Sequence, residues 1–474
     1  MFRTALTALA LASAAFLPGC SPAQAKAAFG SPTDRPPDGG FVLVEGQGRA
    51  VDLLDYLPPD PAIDGTVDYT EEVQNAIDAA AGRTLVLPDF PIKVSERPGT
   101  NWCLLVTQPM SIVGSPSSVL RETAGATQIL RATEVSHLRY VGFTLDGNGQ
   151  HGDALAHGLL QVHFGTNITI DGVTVRGSDA DGIAVANARD VRVVNCRVFG
   201  ASKAGIYLSD CKNGVVSNNV VTYFGGHRAP GNAVVGAGIQ LSSNRNVLCD
   251  GNVISDGTGM GIFVNAGSGG AKPLGTTVTG NRIENVYNHA NASVSSGIFL
   301  ANSNADRATQ TLVSANSIRS CGRYGIYVER HAGASIVGNS ITGSSLSGIL
   351  VGAAQDVRVE DNLVLNSNVS NLYGEAGIRL SSNAQRVRAA GNWIKNLPQY
   401  GAGTALELVA DESDGLGEHE LEARVLSASA PPQSGDFQRG DQVHNSQPTL
   451  GGYAGWICVE GGSPGVWRPF GRIE

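Results

Sequence analysis

Charged residues are scarce in this chain, at 16% of 474 residues, and aromatic residues scarcer still, at 6%. No stretch gathers Lys and Arg into a stripe, which argues against nucleic acid as a partner. The net charge of −9 says little about a substrate, because Asp411, Glu412, Asp414, Glu418, Glu420 and Glu422 crowd into one segment near the end. Cys103, Cys196, Cys211, Cys249, Cys321 and Cys458 show no Cys-x-x-Cys pair and no short regular spacing. That argues against a zinc site and a disulfide framework, and these cysteines read as buried thiols. No apolar run is long enough to cross a bilayer; the Ala5 to Leu17 run near the start falls short.

Glycine, by contrast, is abundant, with 61 residues, and it is periodic. In the stretch SIVGNSITGSSLSGILVGAAQDVRVEDNLV, Ser335 to Val364, the residues Ile336, Asn339 and Ile341 return as Val359, Asn362 and Val364, a step of 23 residues. The same slot holds Asn316, Asn281, Asn252, Asn219 and Asn392, and further out Cys196, Val173 and Phe143. In regular coils a Gly-Ile pair follows nine residues later, and such pairs stand at Gly182, Gly205, Gly238, Gly261, Gly297, Gly325, Gly348 and Gly377. Two short β runs per step, with β-branched residues on one parity, predict half-buried strands. A leucine-rich repeat needs leucine and one strand per step. The Val/Ile content and the second strand predict instead an all-β, right-handed parallel β-helix solenoid, whose asparagines form an internal, purely structural ladder.

Met1 to Ala25 reads as a secretory signal segment. Leu17-Pro18-Gly19-Cys20 resembles a bacterial lipoprotein box with Cys20 lipidated, and Ala23-Gln24-Ala25 suits ordinary cleavage; both remain open. Either way the protein is expected to be exported, as a periplasmic or outer-membrane lipoprotein or secreted. Residues 26–63, rich in Pro, Gly and Asp, read as a linker. A helix follows, with Asp68 and Glu71 at capping-box spacing and Val73, Ala76, Ile77 and Ala80 on one apolar face ended by Gly82, as a lid on the open end of the solenoid. The solenoid is expected over 64–410. From 421 to 474 the repeat is lost, and short strands between Gly and Pro turns predict a small C-terminal β module, with Trp456 and Trp467 read as its core.

The succession DYTEEVQNAIDAA, LVLPDF, MSIVGS and FTLDGNG resembles the pectate-lyase-like superfamily of polysaccharide-degrading β-helix proteins. The resemblance implies a polysaccharide as partner and an activity among pectate and alginate lyases, polygalacturonases, uronate epimerases and phage tailspikes. The polygalacturonase pattern is not met: no adjacent Asp-Asp occurs, His157-Gly158 is isolated, and no Arg-Ile-Lys follows. The Asp-Pro-His-Asp signature of the mannuronan epimerases is also missing.

Function is sought in departures from the repeat. From the asparagine slot to the next Gly-Ile takes 19 residues after Asn219, 16 after Asn281 and 15 after Asn362. These loops lead into the Gly-Ile strands and are expected to wall a groove over that sheet. Its outward row is expected to be Gln161, Ala184, Tyr207, Gln240, Phe263, Phe299, Tyr327, Leu350 and Arg379. Aromatic faces and amides in one row suit a sugar chain.

Rim residues add charge: Asp179, Asp181, Lys203, His227-Arg228 in the longest insertion, His289, and Arg323-Tyr324 with Glu329, Arg330 and His331. For β-elimination from an acidic polysaccharide, a base must take the proton beside the uronate carboxylate while a cation neutralises that group. Lys203 or His227 fits the base and Arg228 the neutraliser, while Gln161, Asp179, Asp181, Tyr207, Gln240, His289, Arg323, Tyr324, Tyr327 and Arg330 are expected to bind the chain. Two alternatives stand beside lyase action: hydrolysis by the Asp179/Asp181 pair, and a non-catalytic binding or surface-structural β-helix. Calcium is conceivable at Asp179/Asp181 or the acidic tail, but no EF-hand loop exists and no metal site or cofactor is assigned.

Overall fold

The computed structural model describes residues 49–122, 128–147, 158–225, 236–266, 273–287, 295–302, 309–370, 375–381, 383–395, 409–411, 420–421, 425–433, 437, 439–462 and 464–474. Within these, one continuous parallel sheet system winds from Val51 to Leu421, so it begins inside the stretch read as linker. Three strands make each coil, one more than the repeat predicts. Ser335–Val337, Ser340–Thr342 and Ile349–Val351 form one turn, and their partners one turn on are Val359, Val364 and Ile378, opposite Ile336, Ile341 and Ile349. The coil is therefore a three-sided prism, with an asparagine sheet, a second sheet and the Gly-Ile sheet.

The corner that separates the first two strands lies just before the asparagine slot. Gly172, Asn218, Gly251, Gly280, Gly338, Asp361 and Gly391 all take a left-handed conformation there, at φ 54 to 65°. Gly, Asn and Asp tolerate this region at least cost. The bend takes the following N–H out of its strand ladder, and the ladder asparagine of the next coil receives it. Asn316 N donates to Asn339 Oδ1 at 3.0 Å, and Asn339 N to Asn362 Oδ1 at 2.9 Å. Each amide nitrogen turns the other way as well, as Asn339 Nδ2 does to Val313 O at 3.0 Å. The chain of bonds runs unbroken from Asn219 to Asn392, and at its leading end Cys196 N donates to Asn219 Oδ1 at 2.9 Å.

The Ile of each Gly-Ile pair points inward: Ile183, Ile206, Ile239, Ile262, Ile298, Ile326, Ile349 and Ile378 are fully buried. Each contributes about 1.5–3 kcal/mol by leaving water. The preceding glycine is there for space. A Cβ on Gly348 would stand 2.3 Å from Val364 Cγ1 and 2.8 Å from Gly377 O. All six described cysteines are free and buried, and burial pushes the thiols of Cys196, Cys211 and Cys321 up to about 12, which keeps them protonated.

The helix Thr70–Ala79 covers the leading end with Val73, Ala76 and Ile77 buried. Its start departs from a capping box: Asp68 Oδ1 accepts from the Thr70 N–H at 3.0 Å, while Glu71 pairs with Arg97 at 3.3 Å. Every strand of the first coil has its open edge closed. Thr84–Val86 pairs with Val51–Asp52, Lys93 O accepts from Tyr69 N at 3.0 Å, and Gln74 imitates a strand by accepting from Leu105 N at 2.9 Å and donating to Leu105 O at 2.8 Å.

The C-terminal module is a four-stranded sheet of Val425–Ala428, Gln442–Asn445, Tyr453–Glu460 and Val466–Arg472. Trp467 is half-buried edge-on against Phe437, at 5.0 Å between centroids, and donates from Nε1 to Pro464 O at 2.9 Å. Among the described residues no helix is long and apolar enough to cross a membrane.

Candidate functional site

Strand register places the outward row of the Gly-Ile sheet in one line, from Leu105 and Arg131 through Gln161, Ala184, Tyr207, Gln240, Phe263, Phe299, Tyr327 and Leu350 to Arg379. A second row lies beside it, because the residue before each glycine also faces out at the corner. It runs through Asp181, Ala204, Ala237 and Met260 to Tyr324. Ala237, Met260 and Phe299 pack together, with Phe263 and Tyr327 against them.

Two centres, one polar and one aromatic, occupy this floor. In the first, Asp181 is 5% exposed, and its Oδ1 accepts from Ala204 N at 2.9 Å. Burial raises its carboxyl to about 6, against the pull of that N–H and of the Lys203 ammonium. Half-buried Lys203 lies one coil on. The Tyr207 hydroxyl is held protonated, pushed up first by burial and also by Asp181, while the Ser209 and Ser242 hydroxyls oppose the shift. Gln240 Nε2 donates to Ser242 Oγ at 3.1 Å, and Ser242 Oγ to Asn265 Oδ1 at 2.6 Å. One coil before Asp181, burial and Arg131 lower the His163 imidazole below its usual range. Its Nε2 lies 3.1 Å from Asn187 Nδ2.

The second centre is aromatic. Phe263, Phe299 and Tyr327 stack at 5.3 and 4.6 Å, nearly parallel, and Tyr324 tilts against Tyr327 at 5.2 Å. The Arg323 guanidinium lies over Tyr324 at 5.0 Å. Tyr327 OH donates to Glu329 Oε2 at 2.9 Å, and Arg330 sits 3.5 Å from the same carboxylate. Five coil steps separate Asp181 from Tyr324, about 24 Å at the parallel-strand spacing.

The right-handed beta helix region family matches residues 139–283 and 291–407, together more than half of the chain. The chain belongs to this right-handed β-helix family. Among solved structures, the β-helix chain is similar to the A-module of the mannuronan C-5 epimerase AlgE6 of Azotobacter vinelandii, at 20% identity and TM-score 0.54, over 81% of this chain and 100% of that one. It is also similar to the catalytic unit of a GH87 α-1,3-glucanase from Streptomyces thermodiastaticus, at 17% identity and TM-score 0.55, over 78% and 68%. A third is the tailspike of E. coli bacteriophage HK620 in complex with pentasaccharide, at 13% identity and TM-score 0.51, over 80% and 76%. At these identities the likeness is one of fold. Comparison with curated protein sequences gives no match.

On this β-helix the sequence-derived residues divide. Asp181, Lys203, Tyr207 and Gln240 gather at the first centre, and Arg323, Tyr324, Tyr327 and Arg330 at the second. Asp179 is buried beside Asp181, at 6% exposure. The Gln161 amide oxygen is taken by Gly158 N at 3.0 Å and Arg379 is paired with Glu375 at 2.7 Å, so both serve the coil itself. His331, read as a rim residue, lies fully inside; its Nε2 is 2.8 Å from Thr311 Oγ1, and burial holds its imidazole neutral, down to about 3. His227, Arg228, His289, Cys20 and the segment 412–418 lie outside the described residues. Among the described residues no group of His, Cys, Asp and Glu is arranged to hold a metal. Sequence reasoning missed Ser209, Ser242, Asn265 and His163, which stand two positions past the floor row; the period of two along a strand was the available signal.

Proposed function

We propose that this β-helix protein is an exported polysaccharide lyase that cleaves an acidic polysaccharide by β-elimination at Asp181, Lys203 and Tyr207. One observation supports the reading: on adjacent coils of an otherwise aromatic and amide-lined row, a carboxyl that ionises near neutrality feels the Lys203 ammonium, and the Tyr207 hydroxyl feels that carboxyl. Below about pH 6, where Asp181 is protonated, a uronate carboxylate beside it and the Lys203 ammonium has its charge spread over two donors, which stabilises the carbanion formed when the adjacent carbon loses its proton. That electron pair then makes the C=C bond as the glycosidic C–O bond breaks, and the Tyr207 hydroxyl supplies the proton that the leaving oxygen takes up. With Lys203 as neutraliser, the base falls to His227 of the longest insertion, with Arg228 as a second carboxylate partner. The aromatic centre would hold the chain further along. Export follows from the N-terminal segment, with Cys20 as a lipid attachment point where the lipoprotein box is used.

A second reading, hydrolysis, draws on the same Asp181: a buried carboxyl beside Asp179 that keeps its proton up to about pH 6 also suits a general acid. The products separate the two. Incubation with polygalacturonate, alginate and acidic exopolysaccharides is expected to raise ultraviolet absorbance, as unsaturated uronate accumulates. Lys203→Ala and Tyr207→Phe are each expected to lower that rate by about 10²-fold or more while melting like the parent. New reducing ends without absorbance would establish hydrolysis, and a polymer that is bound yet unchanged in length and in uronate composition would establish a binding protein.

A further inference from the structure

The leading end of the outward row holds a cation that the coil itself does not use. Arg131 stands on the floor row three coil steps before Tyr207, about 14 Å away, and is half-buried. Its guanidinium lies 4.7 Å over the ring of Trp102 on the preceding coil. The indole braces the planar group without neutralising it. Among the described residues Arg131 has no carboxylate partner, whereas Arg121, Arg176, Arg358, Arg379 and Arg386 each have one. Burial alone pulls its ionisation down. A partly desolvated charge without a counter-ion is costly, and an arriving anion recovers that cost.

The same corner shows a second unmet need. Gln128, opposite Trp102 in strand register and on the row that continues to Asp181, is fully buried, yet neither amide atom has a hydrogen-bond partner among the described residues. A buried amide left unanswered costs about 1–3 kcal/mol per group. Enclosed as it is, the amide does not itself meet a ligand; it marks as polar the corner over which Trp102 braces Arg131.

We propose that Arg131, braced on Trp102, is a binding subsite for the carboxylate of an acidic sugar unit, several units along the chain from the reacting one. The subsite deepens the lyase reading by placing a charge requirement at the leading end, and it rests on that reading only for the identity of the polymer. Its role is to select acidic chains and fix their register; it touches no reacting atom.

The test is affinity electrophoresis of parent and variants in gels containing polygalacturonate or alginate, and the same polymers with their carboxylates reduced to alcohols. Arg131→Gln is expected to weaken retention by the acidic polymers about tenfold, to leave retention by the reduced polymers unchanged, and to melt like the parent. Arg131→Lys is expected to recover part of the loss, and Arg192→Gln, on the exposed asparagine sheet, none of it to lose. Equal weakening toward acidic and reduced polymers would overturn the carboxylate subsite, as would parent-like retention of Arg131→Gln or a parent that binds neither acidic polymer. The lyase reading fails separately: a parent that binds acidic polymers through Arg131 yet releases no unsaturated product retains the subsite and loses the reaction.

Discussion

At the scale of single residues, Asp181 shows how a site is carried at the expense of the fold. Its carboxyl titrates at about 6 when folded and near 3.8 when unfolded, and burial is the first cause. Between about pH 4 and 6 the folded state keeps a proton that the unfolded chain has released. Stability therefore falls as pH rises through that window, and the full penalty, on the order of 3 kcal/mol, is present above it. Asp181→Asn keeps an acceptor for Ala204 N and carries no charge. Urea midpoints are expected to show the variant more stable than the parent at pH 7, with the difference shrinking toward pH 4, while turnover is lost. A difference that does not change with pH would mean that Asp181 is not the buried acid. The sequence marked Asp181 by its position before a Gly-Ile strand. Its burial was not legible, because it depends on the neighbouring coils, where Ala204 stands one turn on and gives its N–H to the carboxyl. His331 was misread for the same reason: two residues past Glu329 the chain turns inward at a corner that no local pattern marks.

At the scale of elements, the ladder couples every coil to the next. Asn339→Leu would leave Asn316 N and Val313 O without the partners Asn339 gives them, and would take one of their bonds from Asn316 Nδ2 and Asn362 Oδ1. The expected loss is about 3 kcal/mol or more, read as a lower denaturant midpoint, with turnover per folded molecule nearly unchanged. The ladder, the inward Ile row and the outward row were legible because each repeats at a fixed step. The third strand was not. Ile336 and Ile341 look like one alternating run, and only the left-handed bend at Gly338 divides them between two sheets. The early coils were read least well, since Val173 and Phe143 replace asparagine there, and so Arg131 and Trp102 escaped the sequence reading.

At the scale of the whole molecule, a row of outward side chains along a stack of near-identical coils gives position by counting. The acidic centre, the aromatic stack and the Arg131 corner sit at fixed numbers of steps from one another, and inserting or deleting one 23-residue turn between them would shift their spacing by about 4.8 Å without altering either centre. A solenoid also has ends, and here Gln74 takes on a significance beyond its own coil. A single side-chain amide occupies the backbone of Leu105, where another strand would otherwise add. Gln74→Leu frees that edge while keeping the helix apolar, and the variant is expected to form end-to-end filaments, visible as concentration-dependent light scattering that the parent lacks. Two hydrogen bonds on one side of the prism would then help to decide between separate particles and fibres, beside the closures that Val51–Asp52 and Tyr69 give the other two sides.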